Sequence, residues 1–490
     1  MKRIASHLVG FLVASAPGAV YAAALSVGPG KTYNKPCAAI AAAKAGDTVE
    51  VDAAGNYDGD HCEWATDNLT VRGVNGRAKI NGGGDPANSA SGKGIFVIAA
   101  PNATIENFEI AGASVADQNG AGIRHQGTNL TLRNVYLHDN QNGILGSPAT
   151  DKTGEVLMDA SEFANNGAGD GQTHNIYLGH YAKITLQYSY SHGAKVGHLV
   201  KLRGLENHVL YNRITDEPGT TASYEVSFPS AGTAFVIGNL IEQSETTQNP
   251  AIIDYASEPN TLNPDLHLYV INNTIVNNRA GGGTFVADRE GTTPAVIMNN
   301  IMVGPGAVSQ QPNAVLTTNF TMGDPKLAGQ ATYDYKLLAG SPCVDMGTEP
   351  GSGLRPTSDY VHPLKGEARV AVGKIDIGAY ELGNPGGPVD GGAPSGGDGG
   401  GVVSGDGGAP GEGGAGGGTG GGGGGGGAGG AGGAGDGGGS GNPAAGGAPG
   451  ASSGGCSVNA AAPASGLGAS ATLVALGLLA ARRRRVKASG

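Results

Sequence analysis

Ile105-Glu106-Asn107-Phe108, Leu132-Arg133-Asn134-Val135, Leu210-Tyr211-Asn212-Arg213-Ile214, Ile237-Gly238-Asn239-Leu240, Ile271-Asn272-Asn273-Thr274-Ile275 and Ile297-Met298-Asn299-Asn300-Ile301 are versions of one phrase. An apolar residue, a variable one and an asparagine are followed by alternating apolar residues. With Asp159 and Tyr188 counted at the same place, the phrases lie mostly about 24 to 29 residues apart, inside the roughly 20 to 50 residue window of repeat architectures. Between them run short period-two stretches bounded by Gly, Asn or Asp, with no long amphipathic helix. Each unit from about Thr48 to Val303 is therefore a coil of strands. The spacing predicts an all-β chain, a right-handed parallel β-helix built as a single-stranded solenoid. Asparagine tolerates the left-handed turn conformation, and asparagines stacked at equivalent turns satisfy one another's amides, so these positions are assigned a structural role.

A solenoid leaves apolar core bare at each end unless something covers it. The alanine-rich stretch from Cys37 to Ala45 has good helix propensity and is expected to be an N-terminal capping helix. Cys37 and Cys62 are close in sequence and are expected to form a disulfide that staples the first turn; Cys343 is left odd. The longest interval, between Asn239 and Asn273, predicts a loop from Ser244 to Asp265 hanging over one face.

Beyond Gly323 the phrasing changes to Ser341-Pro342-Cys343-Val344-Asp345-Met346-Gly347 and Ile375-Asp376-Ile377-Gly378-Ala379-Tyr380-Glu381. These two motifs resemble the closing segment of secreted bacterial β-helix proteins of the pectate-lyase-like superfamily, and the stretch from Ala45 to Gly59 resembles their opening one. The resemblance spans roughly residues 25 to 382. It implies the fold, and it leaves the reaction open among lyases, hydrolases, epimerases and binding proteins.

The flanks read as export and attachment. Met1-Lys2-Arg3, an apolar run from Leu8 to Val20 and small residues at Ala22 to Ala24 have the layout of a signal peptide over 1–24. The β-helix is placed at 25–322 and its closing segment at 323–382. Residues 383–455 are almost all Gly, Ala, Pro, Ser and Asp, and are expected to form a disordered tether. Residues 456–490 hold Cys456, a short hydrophobic helix from Leu467 to Ala481 and four arginines, too short for a comfortable membrane span. This arrangement resembles the myxobacterial C-terminal sorting signal, which implies Cys456 as the processing site. The expected location is secreted, at the cell surface or outer membrane, with the C-terminal segment making the attachment.

Glycine contributes 91 of the 490 residues and the formal charge is −11. With no basic run in the folded region, nucleic acid is not an expected partner. An extracellular acidic polysaccharide would need a local cationic patch or a bridging metal. The chain is expected to act as a monomer.

Such a patch is predicted on one strand face. If Ile123, Ile176, Val200, Val226 and Ile253 point inward, Arg124, Tyr177, Lys201, Ser227 and Asp254 form one outward column, flanked by Arg203 and Glu225. Seven of the eleven histidines, His125, His138, His174, His180, His192, His198 and His208, crowd the same third of the folded region. His174 and His198 precede corresponding strands and are expected to stack. Each feature also has an ordinary explanation, such as a solvated charged face or a cross-coil ion pair.

The sharpest chemical expectation is β-elimination on a uronic-acid polymer, which needs a base for the C5 proton, neutralisation of the C5 carboxylate and a donor for the leaving O4. Lys201 is the candidate base, because a lysine that titrates near ~10.4 is brought down by desolvation and by an arginine about 7 Å away. Arg203 would hold the carboxylate in its planar fork, and Tyr177 or His198 would donate the proton. Arg124, His125, His174 and His180 would bind substrate. Glu225 and Asp254 could hold calcium that assists or replaces Arg203. The Lys/Arg pairing is similar to that of alginate-lyase and chondroitinase-B-like enzymes of this fold. Two alternatives stand beside it: a glycoside hydrolase using Glu225 and Asp254 as paired carboxylates, and a non-catalytic carbohydrate-binding or adhesin-like surface protein. A His-bound transition metal lacks tight ligand spacing.

Overall fold

The computed structural model describes residues 22–146, 153–258 and 263–385, together with the backbone of 388–389. All but the first few residues of the tether, Cys456 and the C-terminal segment, and all but the end of the leader, lie outside the described residues. Three parallel sheets of twelve, nine and ten strands run side by side, here called sheets I, II and III. Each full coil contributes one strand to each sheet. In one coil these are Lys183–Gln187, Tyr190–His192 and Val200–Leu202, and each pairs in register with its counterpart one coil on. Together they make a parallel β-helix.

The register explains why the phrase repeats. Leu186, Val209, Val236, Val270 and Ile297 are successive partners in sheet I and all are fully buried. Each such side chain contributes roughly 1.5 to 3 kcal/mol by leaving water. A one-residue slip would send the whole column into solvent, so the alternation locks the coils.

Between sheets I and II the chain turns through one residue with positive φ: Asn107, Asn134, Ala160, Tyr188, Tyr211, Gly238, Asn272 and Asn299, at +47° to +68°. The next residue points inward, and from Asn212 through Asn239, Asn273 and Asn300 to Asn319 it forms a buried amide ladder. Asn239 Oδ1 accepts the backbone N–H of Asn212 at 2.9 Å and its Nδ2 at 3.0 Å, while Asn239 Nδ2 donates to Asn273 Oδ1 at 3.0 Å and to the Val209 carbonyl at 2.8 Å. The repeated phrase thus merges two adjacent registers. Asn107 and Asn134 occupy the left-handed turn position, whereas Asn212 and its successors occupy the inward one, and Ser161 and Ser189 fill that inward place in earlier coils.

The helix at the N-terminal end covers Pro36–Ala42, not Cys37 to Ala45. It ends at Ala42 because Ala43 turns extended and Asp47 takes over the local backbone, accepting the N–H groups of Lys44 and Ala23, both at 2.8 Å. Ala39 and Ile40 are buried against the first strands, and Cys37 and Cys62 are joined with their Cα atoms 5.6 Å apart.

Residues 323–382 fold against the outside of sheet II instead of adding a coil. Tyr335, Tyr360 and Tyr380 pack on Leu240 and Val276, and Leu337, Cys343 and Ile377 pack on Ile301. Asn272 Nδ2 donates to the Asp376 carbonyl at 2.7 Å. The last inward residue of sheet I, Leu316, stays 53% exposed. No helix among the described residues is long and apolar enough to cross a membrane.

Candidate active site

Sheet III carries the expected column. Its strands Ala121–His125, Asn142–Gly146, Ile176–Leu178, Val200–Leu202, Val226–Phe228 and Ala251–Tyr255 align Arg124, Leu145, Tyr177, Lys201, Ser227 and Asp254 as successive partners. The alternate residues Ile123, Ile144, Ile176, Val200, Val226 and Ile253 are fully buried in the core. The strand period of two is what drives the polar set outward.

Lys201 and Arg203 form the centre. Their side chains are only 8% and 9% exposed, and Glu258, from the chain segment following the Asp254 strand, covers them at 30%. Lys201 Nζ lies 3.8 Å from Glu258 Oε1 and 5.0 Å from the centroid of the Tyr177 ring. Arg203 donates from Nε to the Tyr177 hydroxyl at 3.2 Å, from Nη1 to Ser230 Oγ at 2.7 Å and from Nη2 to Glu258 Oε1 at 2.9 Å. Desolvation works against the Arg203 charge, but Tyr177 and Glu258 outweigh it and hold the guanidinium more firmly protonated than usual. Glu258 is itself pinned, since its N–H donates to the Pro229 carbonyl at 3.0 Å. On the far side of the same segment, Asn263 donates to the carbonyls of Ser230 and Gly204.

The histidines behave as a neutral pair. His198 donates its backbone N–H to His174 Nδ1 at 3.0 Å, and the two rings sit 4.5 Å apart, edge to face. Burial first, then the charges of Lys201 and Arg203, depress both imidazoles well below the ordinary range. His198 also lies against the Tyr224 ring.

Two expected site residues, His125 and Glu225, are placed elsewhere. His125 shares the parity of Ile123, points into the core, bonds the Tyr181 hydroxyl at 2.8 Å and is fully buried, with its pKa pushed down to about 4 by desolvation. Its position takes it off the outward face. Glu225 does not flank the column: it precedes its strand and turns toward the corner with sheet II, where Gln243 Nε2 donates to it at 3.3 Å. His180 follows the end of the Ile176–Leu178 strand and is half-buried there.

The two carboxylates expected to hold calcium have other partners in this structure. Asp254 is fully buried and its oxygens are taken by Ser227 Oγ at 2.9 Å, Ser257 Oγ at 2.6 Å and an ion pair with Arg289. Glu225 faces another corner. The two carboxylates are thus turned to different neighbours, Gln243 for Glu225 and Ser227, Ser257 and Arg289 for Asp254. No set of three or more His, Cys, Asp or Glu side chains among the described residues is arranged to hold a metal.

Ser230, Tyr224, Glu258 and Arg289 join the site without having been singled out in the sequence. Only Glu258 had a signal, as an acidic residue in the interval where a loop was expected over the column. That interval itself is not all loop, because the strand Ala251–Tyr255 occupies its middle. A separate concavity of about 680 Å³ lies over sheet I, lined by Asn129, Thr131, Arg133, Glu155, Lys183 and Thr185. It is an open surface without buried charge, unlike the wall of sheet III, where Lys201 and Arg203 are nearly buried.

Fold and wall together define a parallel β-helix that presents a buried cationic centre on one outer sheet. Among solved structures, the chain is similar to a pectate lyase, with a TM-score of 0.48 and 14% identity over 74% of this chain and 97% of that one. It is also similar to the A-module of a mannuronan C-5 epimerase from Azotobacter vinelandii, with a TM-score of 0.25 and 15% identity over 57% of this chain and 82% of that one. No protein-family model and no curated protein matches the sequence.

Proposed function

We propose that this chain acts on an acidic extracellular polysaccharide, and that it does so as a β-eliminating lyase of a uronic-acid-containing polymer. The observation that carries the proposal is the placement of Lys201 and Arg203 side by side on the outer wall of sheet III, nearly dry, in a chain whose net charge is −11. Low local dielectric strengthens what two such cations do to a bound carboxylate. Both solved structures reported above are of polysaccharide-active enzymes by their names, which is compatible with the proposal and adds no weight to it.

In the proposed reaction Arg203 neutralises the uronate carboxylate, which acidifies the C5–H. Lys201 in its neutral form takes that proton, the C4–C5 double bond forms, and the C4–O4 bond breaks. The departing O4 takes a proton from the Tyr177 hydroxyl, which accepts from Arg203 Nε and so keeps its own hydrogen free to donate. The neutral His198 and His174 pair lies behind Lys201 as part of the floor. Arg124, on the same column toward the N-terminus, would hold a further sugar. Export through the leader and surface attachment through Cys456 belong to the same proposal.

The test is incubation of the mature protein with alginate, pectate and chondroitin. A rising ultraviolet absorbance from unsaturated uronates, lost in Lys201→Ala, supports the lyase. New reducing ends without that absorbance overturn it in favour of hydrolysis, and binding with no product leaves a carbohydrate-binding surface protein.

A further inference from the structure

We propose that Glu258 occupies the subsite that the carboxylate of a bound uronate takes, so that the free protein holds an internal competitor over its own cationic centre. The inference rests on the substrate class proposed above. All three guanidinium nitrogens of Arg203 are engaged: Nε is on Tyr177, Nη1 is on Ser230, and Nη2 meets both Glu258 oxygens, at 2.9 and 2.8 Å. Of these partners only Glu258 is a carboxylate, so it stands where the carboxylate of a uronate would pair with the guanidinium. The same carboxylate is the anionic partner of Lys201 at 3.8 Å.

The three contacts differ in how easily they give way. Tyr177 stands on a sheet III strand, and Ser230 has its backbone carbonyl held by the buried Asn263 at 3.0 Å. Glu258 is 30% exposed, against 8% and 9% for its cationic partners Lys201 and Arg203. Its backbone is fixed to Pro229, so exchange needs rotation of one side chain toward solvent and no movement of the chain. Carboxylate then replaces carboxylate on the same two cations, so neither is left buried and unpaired, which would cost far more than the exchange.

Titration calorimetry of wild type and Glu258→Gln with tri-galacturonate, tri-mannuronate and tri-guluronate reads the competition. The amide keeps the shape and removes the competing charge, so the uronide that wild type binds is expected to bind Glu258→Gln roughly ten-fold tighter. The gain should vanish in Glu258→Gln/Arg203→Ala, and the fully methyl-esterified form of the same oligomer should gain nothing. A purely structural Glu258 would not distinguish the acid from its ester. Equal or weaker binding by a Glu258→Gln protein with the wild-type circular dichroism spectrum overturns this inference alone, because wild type still binds the uronide. Glu258→Ala, which removes the carboxylate without offering an amide, must give the same sign. If no uronide binds wild type or either variant, this inference and the proposed substrate class fall together.

Discussion

Two columns of polar side chains run along this molecule at the same coil spacing, and they are built on opposite principles. At the corner between sheets I and II the inward residues of the later coils are identical, and the asparagines from Asn212 to Asn319 satisfy one another and the backbone around them. On the wall of sheet III no residue repeats: arginine, leucine, tyrosine, lysine, serine and aspartate follow in register. Repetition is what stability asks of a solenoid, since each coil meets only its neighbours. A polar column that declines to repeat while burying two cations serves something other than the stack.

The comparison breaks most sharply at Lys201. Lys201→Ala is expected to lower turnover of the uronate polymer by roughly 10³-fold, within the range that a positioned acid or base contributes, with little change in melting temperature. Activity kept while stability collapses would make the wall a structural column like the other. Asn239→Ala should give the reverse. It strips the acceptor from the Asn212 N–H and Nδ2 and the donor from the Val209 carbonyl, all inside the core. We expect a loss of about 3 kcal/mol by denaturant unfolding, with kcat unchanged at temperatures where the variant is folded.

Much of the fold was legible because the coil period is carried by apolar alternation, which one sequence displays. Ile123, Ile176, Val200, Val226 and Ile253 all face inward, and that parity alone aligned Tyr177 with Lys201 and Lys201 with Ser227. Parity failed where strands end. Glu225 shares the parity of Ser227 but stands ahead of the strand, where the corner twists it toward Gln243. His125 has the parity of Ile123, so grouping it with substrate-binding residues by its histidine chemistry went against the alternation itself. Glu258, Ser230 and Arg289 reach the site across coils by loop geometry, and no local pattern announces that. The ladder was legible as repetition but not as two registers, because asparagine suits both the left-handed turn and the inward stack.

A third polar group lies between these extremes and supplies the smallest test. At the corner where sheet II leads into sheet III, Glu225, Glu242 and Asp216 are all fully buried, and one carboxylate oxygen of Glu225 and one of Glu242 have no hydrogen-bond partner. Burial first, then Asp216 and Glu217, push Glu242 up to about 8, although Asn278 donates to it at 2.7 Å and Arg213 is near. Burial, Asp216 and Glu242 also raise Glu225 well above the ordinary carboxyl range. A carboxyl whose pKa is higher folded than unfolded binds more protons in the native state across that interval. Its stabilisation is therefore complete below the unfolded value of 4.5 and is lost as pH rises through about 8. The melting temperature should fall across that window, and Glu242→Gln should flatten the fall, leaving the variant on the order of 1 to 2 kcal/mol more stable than wild type at the alkaline end. A parallel pH profile for wild type and variant would mean that this corner, like the asparagine ladder, has already satisfied its buried oxygens and carries no titrating group.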